Sequence, residues 1–121
     1  MANLLILEDN PARQKQFKRK FIGHLVTIVD DSKEAIKLLD EAPEGHWDTI
    51  FLDHDLGGEQ NVPSGEGTGY EVATWLEQNP GKQPYQIILH SLNTAGCANM
   101  KRALPNSIVI PFAWREDCTT I

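Results

Sequence analysis

In 121 residues the chain sets 17 acidic against 11 basic side chains, for a formal net charge of −6. That length supports one ordinary core, so a single domain over residues 1–121 is expected, and the acidic balance argues against a membrane surface or non-specific DNA binding, both of which call for basic excess. Cys97 and Cys118 form no CxxC or CxxxC pair, no stretch reaches transmembrane length, and an apolar run opens at Asn3 where a signal sequence would lie, so a cytoplasmic protein without a zinc site or redox motif is expected.

Asn3 to Leu7 reads as a strand buried on both faces and is followed at once by Glu8-Asp9. Asn10-Pro11 places a cap before a first-turn proline, opening a helix with Phe17 and Phe21 one turn apart. The basic residues Arg13, Lys15, Lys18, Arg19 and Lys20 scatter around that helix and read as a solvated face. His24 to Val29 is a second strand, and Asp31 with Glu34 resembles a capping box ahead of Ala35, Ile36, Leu38 and Leu39. Thr49 to Leu52 is the third strand, ending in Asp53-His54-Asp55-Leu56-Gly57-Gly58. The irregular segment Gly57 to Gly67 follows, of a length that is often functional. Its Gly65-x-Gly67-x-Gly69 string matches neither a dinucleotide fingerprint nor a Walker loop.

Thr68 and Glu71 form a second capping box, for a helix carrying Val72, Trp75 and Leu76 that Pro80 closes. Gln86 to Leu89 is the fourth strand and leads into His90-Ser91-Leu92-Asn93. Asn93 or Thr94 caps a helix with Met100 and Leu104 that stops before Pro105, and Ser107 to Ile110 is the fifth strand. Pro111 to Ile121 is barely long enough for another helix, so the last one is expected to be truncated or absent. Strict β-α alternation implies parallel strands with right-handed crossovers, hence a flavodoxin-like α/β sheet of five strands in the order 2-1-3-4-5. The ends of its strands face one crevice, where such folds bind ligands.

Glu8, Asp9 and Asp53 therefore meet at that crevice. Mutually repelling carboxylates are relieved by a hard divalent cation, and hydrated Mg²⁺ with room for a phosphate oxygen is the expected species. Helix capping alone would explain Glu8 and Asp9 beside Asn10, but not Asp53 on a separate strand. Ser91, Asn93, Thr94 and the N–H groups of Ala95 and Gly96 can receive phosphate oxygens at a helix N-terminus, although an ordinary cap needs only Asn93 or Thr94. His24 and His46 lie at the opposite edge of the sheet and receive no role, while Trp47, Trp75 and Trp114 read as packing residues.

This acidic pair, the Asp ending the third strand and the hydroxyl after the fourth resemble a response-regulator receiver domain. The resemblance implies that Glu8 and Asp9 bind Mg²⁺, that Asp53 is also the phosphoacceptor, that Asp55 lends a backbone carbonyl to the metal, and that Ser91 is the switch hydroxyl. The chain departs from receivers at Ile110-Pro111, where they carry a lysine before the proline, and this removes a positive charge from the site. Asp53-His54-Asp55-Leu56-Gly57, Thr68-Gly69-Tyr70-Glu71-Val72-Ala73-x-Trp75 and His90-Ser91-x-Asn93 with Gly96 and Met100 are similar to a narrower group, the cyclic-phosphate-processing receiver family.

Opening a cyclic phosphodiester takes a base for water and an acid for the leaving alkoxide, and imidazole serves both near neutral pH. His54 and His90 stand on neighbouring strands beside the proposed site, although strand alternation turns His54 away from Asp53 and Asp55 unless the chain bends, and His90 away from Ser91. The expected catalytic set is thus Asp53, His54 and His90, with Ser91 and Asn93 on the phosphate and Glu8, Asp9, Asp53 and Asp55 on Mg²⁺. Three functions are open to such a chain: metal-assisted processing of a cyclic phosphate or related ester, on a small molecule or an RNA end; phosphoryl signalling through Asp53; or protein binding without phosphate chemistry.

Overall fold

The structure, a computed structural model, describes residues 1–56 and 63–110. Five parallel strands lie in the order β2-β1-β3-β4-β5: β1 Asn3–Leu7, β2 Leu25–Val29, β3 Thr49–Leu52, β4 Gln86–Leu89 and β5 Ile108–Val109. Four helices alternate with them: α1 Pro11–Lys20, α2 Ser32–Glu41, α3 Gly69–Gln78 and α4 Thr94–Ala103. The fold is the flavodoxin-like one that the alternation predicts. The expected truncated last helix, Trp114 and Cys118 fall outside the described residues.

Two apolar layers cover the sheet. On one face Leu5, Leu7, Ile50, Leu52, Ile87 and Leu89 pack with Ala35, Leu39, Val72, Leu76 and Met100 of α2, α3 and α4. On the other, Ile6, Phe51 and Ile88 pack on Phe17 of α1, with Phe21 and Ile110 partly buried beside them. Successive strand residues alternate between these layers, and that parity fixes the site.

β1, β3 and β4 have the expected bounds, while β2 and β5 are shorter. The His24 N–H turns back onto Phe21 and its Nδ1 accepts from Ala2, so β2 starts one residue later than expected. Ser107 closes a turn on the Leu104 carbonyl through both its N–H and its hydroxyl, which removes it from β5. The expected caps form: Asn10 accepts from Ala12 and Arg13, Asp31 from Glu34, Thr68 from Tyr70 and Asn93 from Gly96. Glu71, expected to complete a capping box with Thr68, instead accepts from Gly67 N–H, Ser32 and Lys33. Among the described residues no helix is long and apolar enough to cross a membrane.

Candidate functional site

Parallel register builds the site one residue beyond the strands. Leu7, Leu52 and Leu89 are partners across β1, β3 and β4, and the ladder runs on, with Asp53 N–H donating to Leu7 O and His90 N–H to Leu52 O. Glu8, Asp53 and His90 are therefore neighbours at the same level. Their parity is that of Ile6, Phe51 and Ile88, so all three point to the α1 face. Each is buried, and ligand atoms from the three lie within 4.8 Å of one another. Two carboxylates and an imidazole can hold a metal ion, and oxygen donors suit a hard cation.

His90 Nε2 lies 3.1 Å from Glu8 Oε1, and its ring packs edge-on against Phe17 with centroids 5.1 Å apart. Burial opposes a charge on Glu8, yet the His90 hydrogen bond and field, the Asn10 N–H and Arg13 together hold its carboxyl below the usual carboxylate range. Burial also pushes His90 down against the pull of Glu8. A neutral imidazole beside an ionised carboxylate must donate, so Nε2 carries the proton. Asp53 moves the other way, pushed up to about 8 by burial and then by the Glu8 charge, while Ser91 hydrogen-bonds it and Arg13 attracts it. Asp9, half-buried, adds a repelling charge to Asp53 and lies outside the three-residue cluster.

His54 belongs to a second cluster. It continues the parity of Leu52, towards α3 and α4, and its ring is fully buried. Nδ1 lies 2.8 Å from Asp55 Oδ1, and the Asn93 amide donates to the same oxygen at 2.9 Å. Nε2 lies 2.8 Å from the Ser64 hydroxyl, whose oxygen also accepts from Asn99 at 2.8 Å. A carboxylate only accepts, so His54 Nδ1 donates to Asp55, and with the imidazole neutral the chain runs from Asn99 to Ser64 and from Ser64 to His54 Nε2. A Cβ on Gly96 would stand 2.4 Å from the imidazole carbon, so only glycine lets α4 approach this closely. Gly69 is as constrained, since its Cβ would stand 1.9 Å from the Asp53 carbonyl oxygen. Its own N–H donates to His54 O and seats α3 on the strand end.

The residues expected at the site thus divide into two groups. Glu8, Asp53 and His90 gather on one side, His54, Asp55 and Asn93 on the other, and the Ser91 hydroxyl stands between them, bonded to Asp53 and accepting from the Asn93 N–H. Asn93 uses Oδ1 to cap Gly96 and Nδ2 on Asp55. The Gly96 N–H expected to be open to phosphate is occupied by that cap. The bend thought necessary for His90 is not needed, because its correct neighbours are Asp53 and Glu8 rather than Ser91.

Arg13 corrects the reading of the α1 charges as a solvated face. Its guanidinium lies 3.7 Å from Glu8 Oε1 and 4.0 Å from Asp53 Oδ2. The available signal was its place in the first turn, since long helical side chains lean towards the N-terminus and hence towards the crevice.

The family model for the cyclic-phosphate processing receiver domain matches residues 4–106. No curated protein matches the chain. Among solved structures, the chain is similar to the phosphorylated cyanobacterial phytochrome response regulator RcpA, with a TM-score of 0.75 at 20% identity over 98% of this chain and 85% of that one. The receiver domain of a Pseudomonas aeruginosa sensor histidine kinase, with magnesium coordinated in its active-site cleft, gives 0.72 at 20% identity over 95% and 88%. The Thermotoga maritima response regulator TrrA, in complex with Mg²⁺ and BeF, gives 0.69 at 21% over 96% and 92%. At these identities the likeness establishes the fold.

Proposed function

The chain belongs to the cyclic-phosphate processing receiver family, and on that footing we propose that it processes a cyclic phosphate or related phosphate ester at the strand-end crevice with the help of Mg²⁺. One observation carries the reading: the convergence of Glu8, Asp53 and His90, all buried, within 4.8 Å at the ends of three adjacent strands. Glu8, Asp9 and Asp53 would hold the ion, with the Asp55 carbonyl. The bound ion would polarise a phosphoryl oxygen as a Lewis acid. Ser91, already bonded to Asp53, is next to where that oxygen would lie.

Ring opening forms one bond from water oxygen to phosphorus and breaks one from phosphorus to a ring oxygen. The proton released by water must be held and a proton returned to the leaving alkoxide. The Glu8–His90 pair is suited to this, since one proton is shared along Nε2 to Oε1 and burial keeps the imidazole basic site uncharged. His54, with its nitrogens on Asp55 and Ser64, acts as a positioning residue for Asp55. The substrate would be a phosphate-containing small molecule or an RNA end, and the whole domain would span residues 1–121.

The test is hydrolysis of 2′,3′-cyclic nucleotides with Mg²⁺, followed by phosphorus NMR. Wild type is expected to give the monophosphate and Asp53→Asn none. Wild type that leaves the substrate intact would remove the hydrolytic reading. The Ser91 bond to Asp53 favours a second function, phosphoryl acceptance on Asp53, which acyl-phosphate labelling by a small phosphodonor would reveal.

A further inference from the structure

We propose a second active site on the face of the sheet turned to α3 and α4: Ser64, His54 and Asp55 form a nucleophile, a base and an orienting carboxylate that hydrolyse a carboxylic ester through an acyl-serine. None of these three side chains belongs to the cluster of Glu8, Asp53 and His90, so the site stands apart from the metal and phosphate reading.

Ser64 Oγ lies 2.8 Å from His54 Nε2, and His54 Nδ1 lies 2.8 Å from Asp55 Oδ1. Through two such bonds a base takes the proton of a hydroxyl nucleophile while a carboxylate holds that base in the required tautomer. With the imidazole neutral, Nδ1 carries its proton for Asp55 and Nε2 accepts from Ser64. Here the carboxylate follows the base directly in sequence. Neighbours on a regular strand would point to opposite faces, but the chain bends at His54 and the Asp55 carboxylate comes round to the ring. The Asn93 amide donates to that carboxylate at 2.9 Å, and the Gly69 N–H holds the bend through His54 O. Ser64 is presented by a turn in which the Gly65 carbonyl accepts from both the N–H and the hydroxyl of Thr68.

Such a triad needs a dry base and a nucleophile within reach of solvent. The His54 ring is fully buried, whereas Ser64 and Asn99 are half-buried. Asn99 donates from Nδ2 to Ser64 Oγ at 2.8 Å and accepts at Oδ1 from Arg102, which turns its N–H groups towards the nucleophile. An amide N–H beside Oγ is placed for the oxyanion that develops there. One neutral donor suits the single oxyanion of an attacked carbonyl, whereas phosphoryl transfer spreads charge over three oxygens. A carboxylic ester is therefore the substrate class. Ser64 Oγ bonds to the carbonyl carbon as its proton passes to His54 Nε2. The bond from that carbon to the alcohol oxygen breaks as Nε2 returns the proton to the leaving alkoxide. Water then attacks the acyl-serine, giving a proton to Nε2; the bond to Oγ breaks, Oγ recovers the proton, and acid and alcohol leave.

The test is made in chelator, so that no divalent ion contributes. Wild type is treated with a fluorophosphonate, which bonds to activated serines, and the adduct is mapped by peptide mass spectrometry. Turnover is followed with p-nitrophenyl acetate. Ser64 is expected to take the label ahead of the buried Ser32, Ser91 and Ser107, and Ser64→Ala to lose both label and turnover. On proteins whose circular dichroism matches wild type, Asp55→Asn should slow labelling by about 10⁴-fold, through the wrong tautomer. Asn99→Ala should lower kcat by about 10²–10³-fold, the usual worth of one oxyanion donor. Wild type that takes no label at Ser64 overturns the proposal without recourse to any variant. Ester turnover that persists in folded Ser64→Ala, or labelling of Ser64 at the wild-type rate in folded Asp55→Asn, also overturns it and leaves Ser64 a structural hydroxyl.

Discussion

The two strand-end histidines are both fully buried, and their surroundings differ in kind. His90 faces two carboxylates and shares one hydrogen bond with Glu8, in a pocket where Asp53 is pushed up to about 8. His54 has a partner at each nitrogen, in a directed chain from Asn99 through Ser64 to Asp55. A satisfied network fixes a structure, because every donor already has its acceptor. Like charges crowded together out of water remain poised, and such sites recur where ligands bind. On the proposed function, His90 serves the chemistry and His54 the scaffold that holds it.

The largest effect that can break this division is on rate. His90→Ala is expected to lower kcat on a cyclic phosphate by about 10²–10⁴-fold, the usual worth of positioned proton transfer. His54→Ala should instead cost roughly 2–4 kcal/mol of stability, from the cavity and from the stranded Asp55 and Ser64 groups. Its turnover per folded molecule should stay within a few-fold of wild type. Rate and melting temperature measured on the same preparations decide the matter. A His54→Ala protein that melts like wild type and turns over as poorly as His90→Ala would reverse the roles.

The next effect is on stability. Asp53 has a folded pKa of about 8 against an ordinary 3.8. The native state therefore binds the extra proton between these values, so this group lowers stability as pH rises through that window, with the full penalty present above about 8. Asp53→Asn should remove a penalty on the order of a few kcal/mol at pH 8.5 in chelator and almost none at pH 4. Mg²⁺ should stabilise wild type far more than the variant. Thermal melts across pH that give parallel curves for the two proteins would show that Asp53 is not electrostatically strained.

A smaller effect tests the scaffold half. Gly96→Ala places a Cβ 2.4 Å from the His54 ring, and relieving that contact should cost roughly 1–3 kcal/mol. Chemical denaturation would read it. Mg²⁺ affinity should fall by no more than about a few-fold, because Glu8 and Asp53 lie on the other face and of the proposed ligands only the Asp55 carbonyl adjoins His54; a tenfold loss of Mg²⁺ binding would join the two clusters into one site.

Much of this was legible in the sequence, and the misreadings have physical causes. The apolar runs gave β1, β3 and β4 their bounds, and alternation gave the strand order. The pairing of His90 with Glu8 and Asp53 was also within reach, since each is the residue after an in-register strand. Comparing His90 with Ser91, along one strand, hid a relation that runs across three. Arg13 was lost among the basic residues of α1, where spacing alone does not separate a side chain leaning over the crevice from one in water. Ser64 and Asn99 carried no signal, because their bonds to the His54 network depend on how the segment before α3 folds back on α4.

The finest distinction concerns the metal. Carboxylate oxygens alone accept Mg²⁺ and Mn²⁺ with similar ease, whereas an imidazole nitrogen favours the transition ion. His90 Nε2 belongs to the same 4.8 Å cluster as Glu8 and Asp53, and His54 does not. On the proposed function His90 keeps its Nε2 proton on Glu8 Oε1 for proton transfer and is not a ligand, so the ion is held by oxygen alone. Wild type is therefore expected to bind Mn²⁺ and Mg²⁺ within a few-fold of each other. His90→Gln, which keeps a polar group of similar reach, and His54→Gln should both leave that ratio where it was. Competition titrations on the three proteins give the ratio directly, independent of any turnover. A preference for Mn²⁺ of about tenfold in wild type that collapses in His90→Gln would make the imidazole a ligand and remove it from proton transfer.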